Sequence, residues 1–143
     1  MGKKTTGKKT TGKALGVGGV FFRSPDPGKL ANWYRDTLGL DIEAWGSTHG
    51  TSFSPEAMPA NAFTVWSTFA ADTEYFGNLR QTFMINLVVD DLNKALANVK
   101  AAGGEVIPQK EDDDFGRFGW IVDPDGNRVE LWEPPEKMPE PAE

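Results

Sequence analysis

The hydrophobic pattern of this chain changes between two periods. Apolar residues recur at helical spacing over residues 27–38 and 91–102, which predicts two amphipathic helices. Asp26 and Asp91 stand at their starts as N-caps, and glycines follow both helices. Elsewhere the apolar residues alternate with polar ones or form short runs, which predicts strands. The predicted strands cover residues 16–23, 40–45, 51–53, 62–69, 83–89, 106–107, 118–122 and 128–132.

The two helices lie at matching places in two similar halves of the chain. An offset of 65 residues superposes Asp26 on Asp91 and Gly39 on Gly104. Each half therefore repeats the order of a strand, a helix and further strands, which indicates an internal duplication.

The clearest alternation follows the turn sequence Asp123-Pro124-Asp125-Gly126-Asn127. Proline and glycine favour a tight turn, so residues 118–122 and 128–132 are predicted to form a hairpin. The second strand places Val129 on a core face and a carboxylate, Glu130, on the opposite face. Glu130 therefore faces either solvent or a pocket.

This hairpin resembles the last hairpin of the vicinal oxygen chelate superfamily, which includes glyoxalase I, extradiol dioxygenases and bleomycin-resistance proteins. The resemblance rests on the Asp123–Asn127 turn with Glu130-Leu131 and covers about residues 15–134. It implies an α+β fold in which two βαβββ modules, about residues 15–70 and 82–134, pair into an eight-stranded open cup with helices on the outer face. It does not specify a reaction, because this fold hosts unrelated chemistries.

The resemblance also implies four metal-ligand positions facing into the cup, which match Gly19, Ser67, Met84 and Glu130 here. Only Glu130 offers a hard oxygen donor, whereas catalytic metal sites use about three protein ligands. We therefore expect no metal and no other cofactor.

Glu130 has two further interpretations. In the first, it has a functional role, as a catalytic base or as an anchor for a cationic ligand. In the second, it has a structural role, in an ion pair with Arg23 on the first strand. His49, the one histidine of the chain, is a possible base. Its place in a polar turn favours an exposed residue instead, because nothing places it within reach of the cup.

Strand alternation from these four positions predicts the lining of the cup, while Trp120 stays unassigned because the loop length sets its face. The mixture of apolar, aromatic and polar side chains is typical of a small-molecule pocket, with a plain packed core as the alternative. The predicted ligand-binding residues are Phe21, Arg23, Val65, Ser67, Phe69, Met84, Asn86 and Trp132.

Composition narrows the function further. The 143 residues include no cysteine, which excludes disulfides, thiolate catalysis and cysteine-based zinc sites. Five lysines lie in residues 1–14, which leaves ten basic against 21 acidic residues, a net charge of −11, so nucleic acid is an improbable partner. The sequence contains no apolar run of membrane-spanning length and no signal-peptide core, so we expect no membrane partner and a cytoplasmic protein.

Three regions follow from these patterns. Residues 1–14, with Gly-Lys-Lys-Thr-Thr repeated twice, are predicted to be a flexible basic arm, residues 15–134 a single domain, and residues 135–143 an acidic, proline-rich tail. The aromatic residues of the connection 70–82 indicate that it packs back onto the domain.

Three hypotheses for function remain. The first is a metal-free protein that binds a small aromatic or cationic molecule, as the similar bleomycin-resistance proteins do. The second is a lyase, isomerase or dioxygenase with Glu130 as base or sole retained metal ligand, and the third is a non-catalytic interaction protein. For each we expect a homodimer, because an open sheet has edges that need covering.

Overall fold

The computed structural model describes residues 11–78 and 80–137. The predicted basic arm lies mostly outside this part of the chain, as do the last six residues of the predicted tail. The described residues form a mixed α+β fold with two helices and two open sheets, which confirms the predicted class.

Both helices form where the pattern predicts them, α1 over Pro27–Leu38 and α2 over Leu92–Ala101. Their caps explain the agreement, because the Asp26 and Asp91 side chains each accept a hydrogen bond from a backbone NH three residues on, at 3.1 and 3.0 Å. No helix in the described part of the chain is long and apolar enough to cross a membrane.

The larger sheet comes from the second half of the chain, in the order β3-β6-β5-β4. β3 runs parallel to β6, and the other neighbours are antiparallel. The four strands are β3 (Ile85–Val88), β4 (Glu105–Asp113), β5 (Gly116–Val122) and β6 (Arg128–Glu133). β4 extends well beyond the predicted residues 106–107, because pairing with β5 continues through the acidic segment as far as Asp113. The pairing therefore overrides the low strand propensity of that segment.

One face of this sheet packs against α2. The core consists of side chains from the helix and from β5 and β6: Leu92, Ala95, Leu96, Val99, Ile121, Val129 and Leu131. This confirms the predicted core face. The opposite face carries Trp120, Glu130 and Trp132, and we call it the Glu130 face.

The first half forms a smaller sheet of β1 (Glu43–Trp45) and β2 (Thr48–Gly50). The predicted strand at 51–53 is wrong, because the chain turns earlier, at Gly46, whose φ of 67° suits a glycine. The structure also differs from the prediction at residues 16–23 and 62–69, which form no strand. Six strands rather than eight are therefore present in residues 11–78 and 80–137.

The two halves are joined at the β5–β6 turn. The Tyr34 hydroxyl of α1 donates to Asp123 Oδ2 at 2.7 Å, and both side chains are buried. Asp123 Oδ1 also accepts from the backbone NH groups of Asp125 and Asn127, each at 2.9 Å. The carboxylate thus holds the turn and one end of α1 together.

Candidate functional site

Glu130 is the centre of the candidate site. It is only 8% exposed, although it lies on the face of β6 that points away from the core. Its carboxylate accepts hydrogen bonds from three neutral donors, namely the Tyr75 hydroxyl and Trp120 Nε1 on Oε2 and Asn86 Nδ2 on Oε1. The Trp120 and Asn86 bonds measure 3.1 and 2.7 Å. Such bonds stabilise a buried carboxylate without a cationic partner.

Strand register brings two of these donors to Glu130. Trp120 of β5 and Asn86 of β3 are its direct partners on the two neighbouring strands. Directly opposed residues on adjacent strands project to the same side of a sheet. The five-residue connection from Asp123 to Asn127 sets this register, and it places the previously unassigned Trp120 on the Glu130 face.

Tyr75 reaches Glu130 from the connection between the two halves. Its ring stacks on Phe69 at 5.3 Å between centroids and meets Trp120 edge-on at 5.9 Å. Burial, followed by the hydrogen bond to Glu130, raises the pKa of the Tyr75 hydroxyl well above its ordinary value. The hydroxyl therefore stays protonated and acts as a donor. These contacts confirm that the connection packs back onto the domain.

A second group of rings surrounds Trp132 on the same face. Its ring stacks on Phe118, with centroids 6.1 Å apart, and contacts Phe63 at 5.0 Å. Its indole Nε1 donates to the backbone oxygen of Phe115 at 2.7 Å, which fixes the ring's orientation. The Glu130 face is thus an aromatic surface with one carboxylate at its centre.

The structure brings together some of the predicted lining residues and not others. Asn86 donates to Glu130, Phe69 stacks on Tyr75, Trp132 packs in the second group of rings on the same face, and Met84 is half-buried beside β3. The remaining predicted residues are exposed, since neither of their segments forms a strand: Phe21, Arg23, Val65 and Ser67. Their role in ligand binding stays a prediction.

The contacts also bear on two other predictions, the ion pair between Arg23 and Glu130 and the position of His49. Among the described residues, no ion pair joins Arg23 to Glu130, whose hydrogen-bond partners are all neutral. His49 is exposed, as predicted, but it lies in β2 rather than in a turn, with its ring beside Gly28 at the start of α1.

The residues around Glu130 do not fit the metal that the superfamily resemblance implies. Within residues 11–78 and 80–137, no group of three histidine, cysteine or acidic side chains could hold an ion. Both oxygens of Glu130 instead accept hydrogen bonds from NH or OH groups, which offer a metal no anionic ligand. The side chains around Glu130 therefore do not suit a divalent metal ion.

Tyr75 is the site residue that the strand pattern missed. It lies in an irregular segment, where periodicity does not define a face. The available signal was the pair of aromatic residues, Tyr75 and Phe76, in an otherwise polar connection. Aromatic side chains in a loop indicate packing against the body of a domain.

The fold agrees with the glyoxalase-like class that the hairpin motif indicated. Residues 19–132 match the family model of the glyoxalase-like domain, and the chain belongs to that family. The comparison with curated protein sequences returned no match.

Several solved structures are similar to this chain at low sequence identity. A glyoxylase/bleomycin resistance protein/dioxygenase domain from Frankia sp. EAN1pec is 14% identical, with a TM-score of 0.50 over 86% of this chain and 100% of that chain. A member of the glyoxalase/bleomycin resistance protein/dioxygenase superfamily from Sphaerobacter thermophilus is 18% identical, with a TM-score of 0.48 over 85% and 98%. TnmS3, an antibiotic binding protein from Streptomyces sp. CB03234, is 20% identical, with a TM-score of 0.47 over 77% and 88%.

Proposed function

We propose that this chain binds a small organic molecule on the Glu130 face without using a metal. One observation carries the proposal: a buried carboxylate is held by neutral donors in the middle of an aromatic surface. Ligand pockets typically combine an apolar, aromatic lining with a few placed polar groups.

Tyr75 indicates what kind of molecule fits. Its phenol is stacked on one ring, meets another edge-on and donates to Glu130. A ligand that replaces Tyr75 needs the same features, namely a flat aromatic ring and a hydroxyl, amine or ammonium donor. Tyr75 belongs to an irregular segment, so its displacement breaks no strand pairing. We therefore propose phenols and aromatic amines as the ligand class.

Ligand binding is tested by titrating phenols and aromatic amines while following the fluorescence of the tryptophans. Glu130→Gln keeps the side-chain shape but removes the charge, and it should weaken binding of the best compound by about tenfold, the usual cost of losing a hydrogen bond to a charged group. Glu105→Gln on β4 makes the same change at an exposed position and should have no effect. Equal affinity for Glu130→Gln and Glu105→Gln, with both folded, contradicts the proposal.

The absence of a metal is a separate prediction. One carboxylate binds Zn²⁺ or Fe²⁺ weakly, because affinity grows only as further ligands are preorganised. Elemental analysis of the purified protein should therefore find no stoichiometric divalent metal. Stoichiometric metal that disappears in Glu130→Gln would show the prediction to be wrong.

We also propose that the protein is a homodimer. Two apolar segments, residues 15–22 and 63–69, carry large exposed side chains. Extensive exposed apolar surface indicates an interaction site, and the two segments resemble strands in sequence without being paired as strands.

A further inference from the structure

A cleft of about 400 Å³ lies at the end of the larger sheet, beside the β5–β6 turn. One wall comes from Asn78 and residues 80–83, and the other from residues 125–129 of the turn and β6. Phe22 lines it from a third segment. Glu130 does not line this cleft, so the cleft is a second site next to the one proposed above, with the Trp120 ring between Arg128 and Glu130.

Two arginine residues line the cleft, Arg80 and Arg128. Neither takes part in an ion pair within the described part of the chain, where the paired arginines are Arg35 and Arg117. Asp125 also lines the cleft, which leaves it with one net positive charge. This local excess is unusual in a body that carries 21 acidic against ten basic residues.

The backbone of Arg128 is held in place by the side chain of Gln81. Its backbone NH donates to Gln81 Oε1 at 2.9 Å, and Gln81 Nε2 donates to its backbone oxygen at 2.8 Å. The guanidinium carbon lies 6.0 Å from the centre of the Trp120 ring, in the range of a cation–π contact. The backbone of Arg128 is therefore fixed, while its guanidinium rests against the Trp120 ring without an anionic partner in the described part of the chain.

The Arg128 side chain also lacks an acceptor. Its Nε is buried and has no hydrogen-bond partner in residues 11–78 and 80–137. Arginine carries only donors, and buried polar groups are nearly always hydrogen-bonded. An anion that enters the cleft and reorients the guanidinium supplies the missing acceptor. Carboxylates and phosphates match the guanidinium fork best.

We propose that this cleft binds a small organic oxyanion, a carboxylate or a phosphate monoester on an apolar body. Arg80 and Arg128 take the oxyanion, and Phe22 and Phe83 contact the apolar part. The Glu130 site does not take the same molecule, because its carboxylate repels an anion.

Benzoate and phenyl phosphate are the probes, with benzamide as the neutral analogue of the same size. Each is titrated into the full-length protein while amide and arginine side-chain NMR signals are followed. Saturable shifts at Arg80, Arg128 and the β5–β6 turn are expected with at least one anion and not with benzamide. Binding of only one anion assigns the carboxylate or the phosphate as the group recognised. Saturation by neither anion at millimolar concentrations, or equal binding of benzamide, overturns the proposal.

Charge-removing variants locate the site. Arg128→Gln and Arg80→Gln should each weaken anion binding by about fivefold to tenfold, as expected for losing a charge-assisted hydrogen bond. Arg35→Gln removes the same charge from an exposed position on α1 and should leave affinity unchanged. If Arg128→Gln fails to fold, the exposed Arg80→Gln decides the question. Equal affinity in Arg80→Gln and Arg35→Gln contradicts the site.

Discussion

The two buried carboxylates in the described part of the chain differ in which groups donate hydrogen bonds to them. Asp123, 4% exposed, accepts bonds from the backbone of its own turn in addition to Tyr34, so its partners are fixed by the fold. Glu130 accepts bonds from side chains alone, and these come from three separate parts of the chain. Side-chain donors can rotate away without unfolding the backbone. Glu130 is therefore the carboxylate that can exchange an internal partner for a ligand.

The pKa values of the two tyrosines determine how we expect the stability of the protein to change at alkaline pH. Burial and a neighbouring carboxylate raise the pKa of Tyr34 and of Tyr75 above that of a free tyrosine, which is about 10. The folded protein then holds protons that the unfolded chain releases. Stability should be unaffected below about pH 10 and should fall as the pH rises further. Tyrosinate absorbance measured against pH should show no ionisation until the protein unfolds.

Single variants separate the two contributions to this effect. Tyr34→Phe and Tyr75→Phe each leave one tyrosine, so the remaining ionisation belongs to a known residue. Either variant should also lessen the loss of stability in alkali, because one raised pKa has been removed. One equivalent of tyrosinate appearing near pH 10 in the folded protein contradicts a buried, hydrogen-bonded phenol at that position.

The sequence pattern predicted three residues of the candidate site on regular strands and left the face of Trp120 on β5 open. Asn86, Glu130 and Trp132 occupy the expected face, because alternation along a strand is set by local backbone geometry. Tyr75 was missed because an irregular segment has no such period. The Arg23 pairing failed because it depended on a strand at residues 16–23 that the structure does not form.

At the scale of elements, the β4–β5 turn depends on one glycine. Gly116 has a φ of 120°, and an added Cβ would lie 2.3 Å from the backbone oxygen of Glu133. Gly116→Ala should therefore destabilise the protein by about 3 kcal/mol, because it combines an unfavourable backbone angle with a clash against backbone. Urea unfolding measures the change in free energy.

Gly126 in the β5–β6 turn is the matched control. Its φ is 87°, but an added Cβ would meet nothing within 4 Å. Gly126→Ala should therefore cost only the backbone strain, about 1 kcal/mol. Equal losses in the two variants would mean that the contact between Gly116 and the end of β6 is not tight.

The helices were predictable and the strand ends were not, for a physical reason. Asp26 and Asp91 cap their helices through hydrogen bonds to backbone three residues away, so the signal is local. The extent of β4 depends on its partner, since pairing with β5 carries the strand through charged residues as far as Asp113. Such pairing is a property of two segments and is not visible in one.

At the scale of the whole molecule, the two halves are less alike than the repeat in the sequence predicts. The second half builds its sheet largely from neighbouring strands, and α2 covers one face of it. Among residues 11–78, only the short β1–β2 hairpin pairs as strands. The glycines at positions 16, 18 and 19 weaken residues 16–23 as a strand, whereas β3, the matching strand of the second half, contains no glycine and pairs with β6.

The proposed homodimer follows from the apolar side chains that the first half leaves exposed. Leu15, Phe21 and Trp66 are 91%, 89% and 80% exposed, and all three lie in segments whose sequence is typical of strands. A second copy of the chain offers the same segments, so pairing between copies covers both apolar surface and unpaired backbone. Sedimentation at micromolar concentration should therefore give twice the mass of one chain.

A substitution in one of these segments tests the interface directly. Trp66→Ser removes a large exposed ring and should shift the protein to a monomer, because buried aromatic side chains contribute most to such interfaces. Phe115→Ser makes a similar change at a half-exposed ring in the β4–β5 turn, outside both segments, and should stay dimeric. Stability should change little in the monomeric variant, since Trp66 is not part of the core around α2. A wild-type monomer, or a Trp66→Ser dimer as tight as the wild type, rules out these segments as the dimer interface.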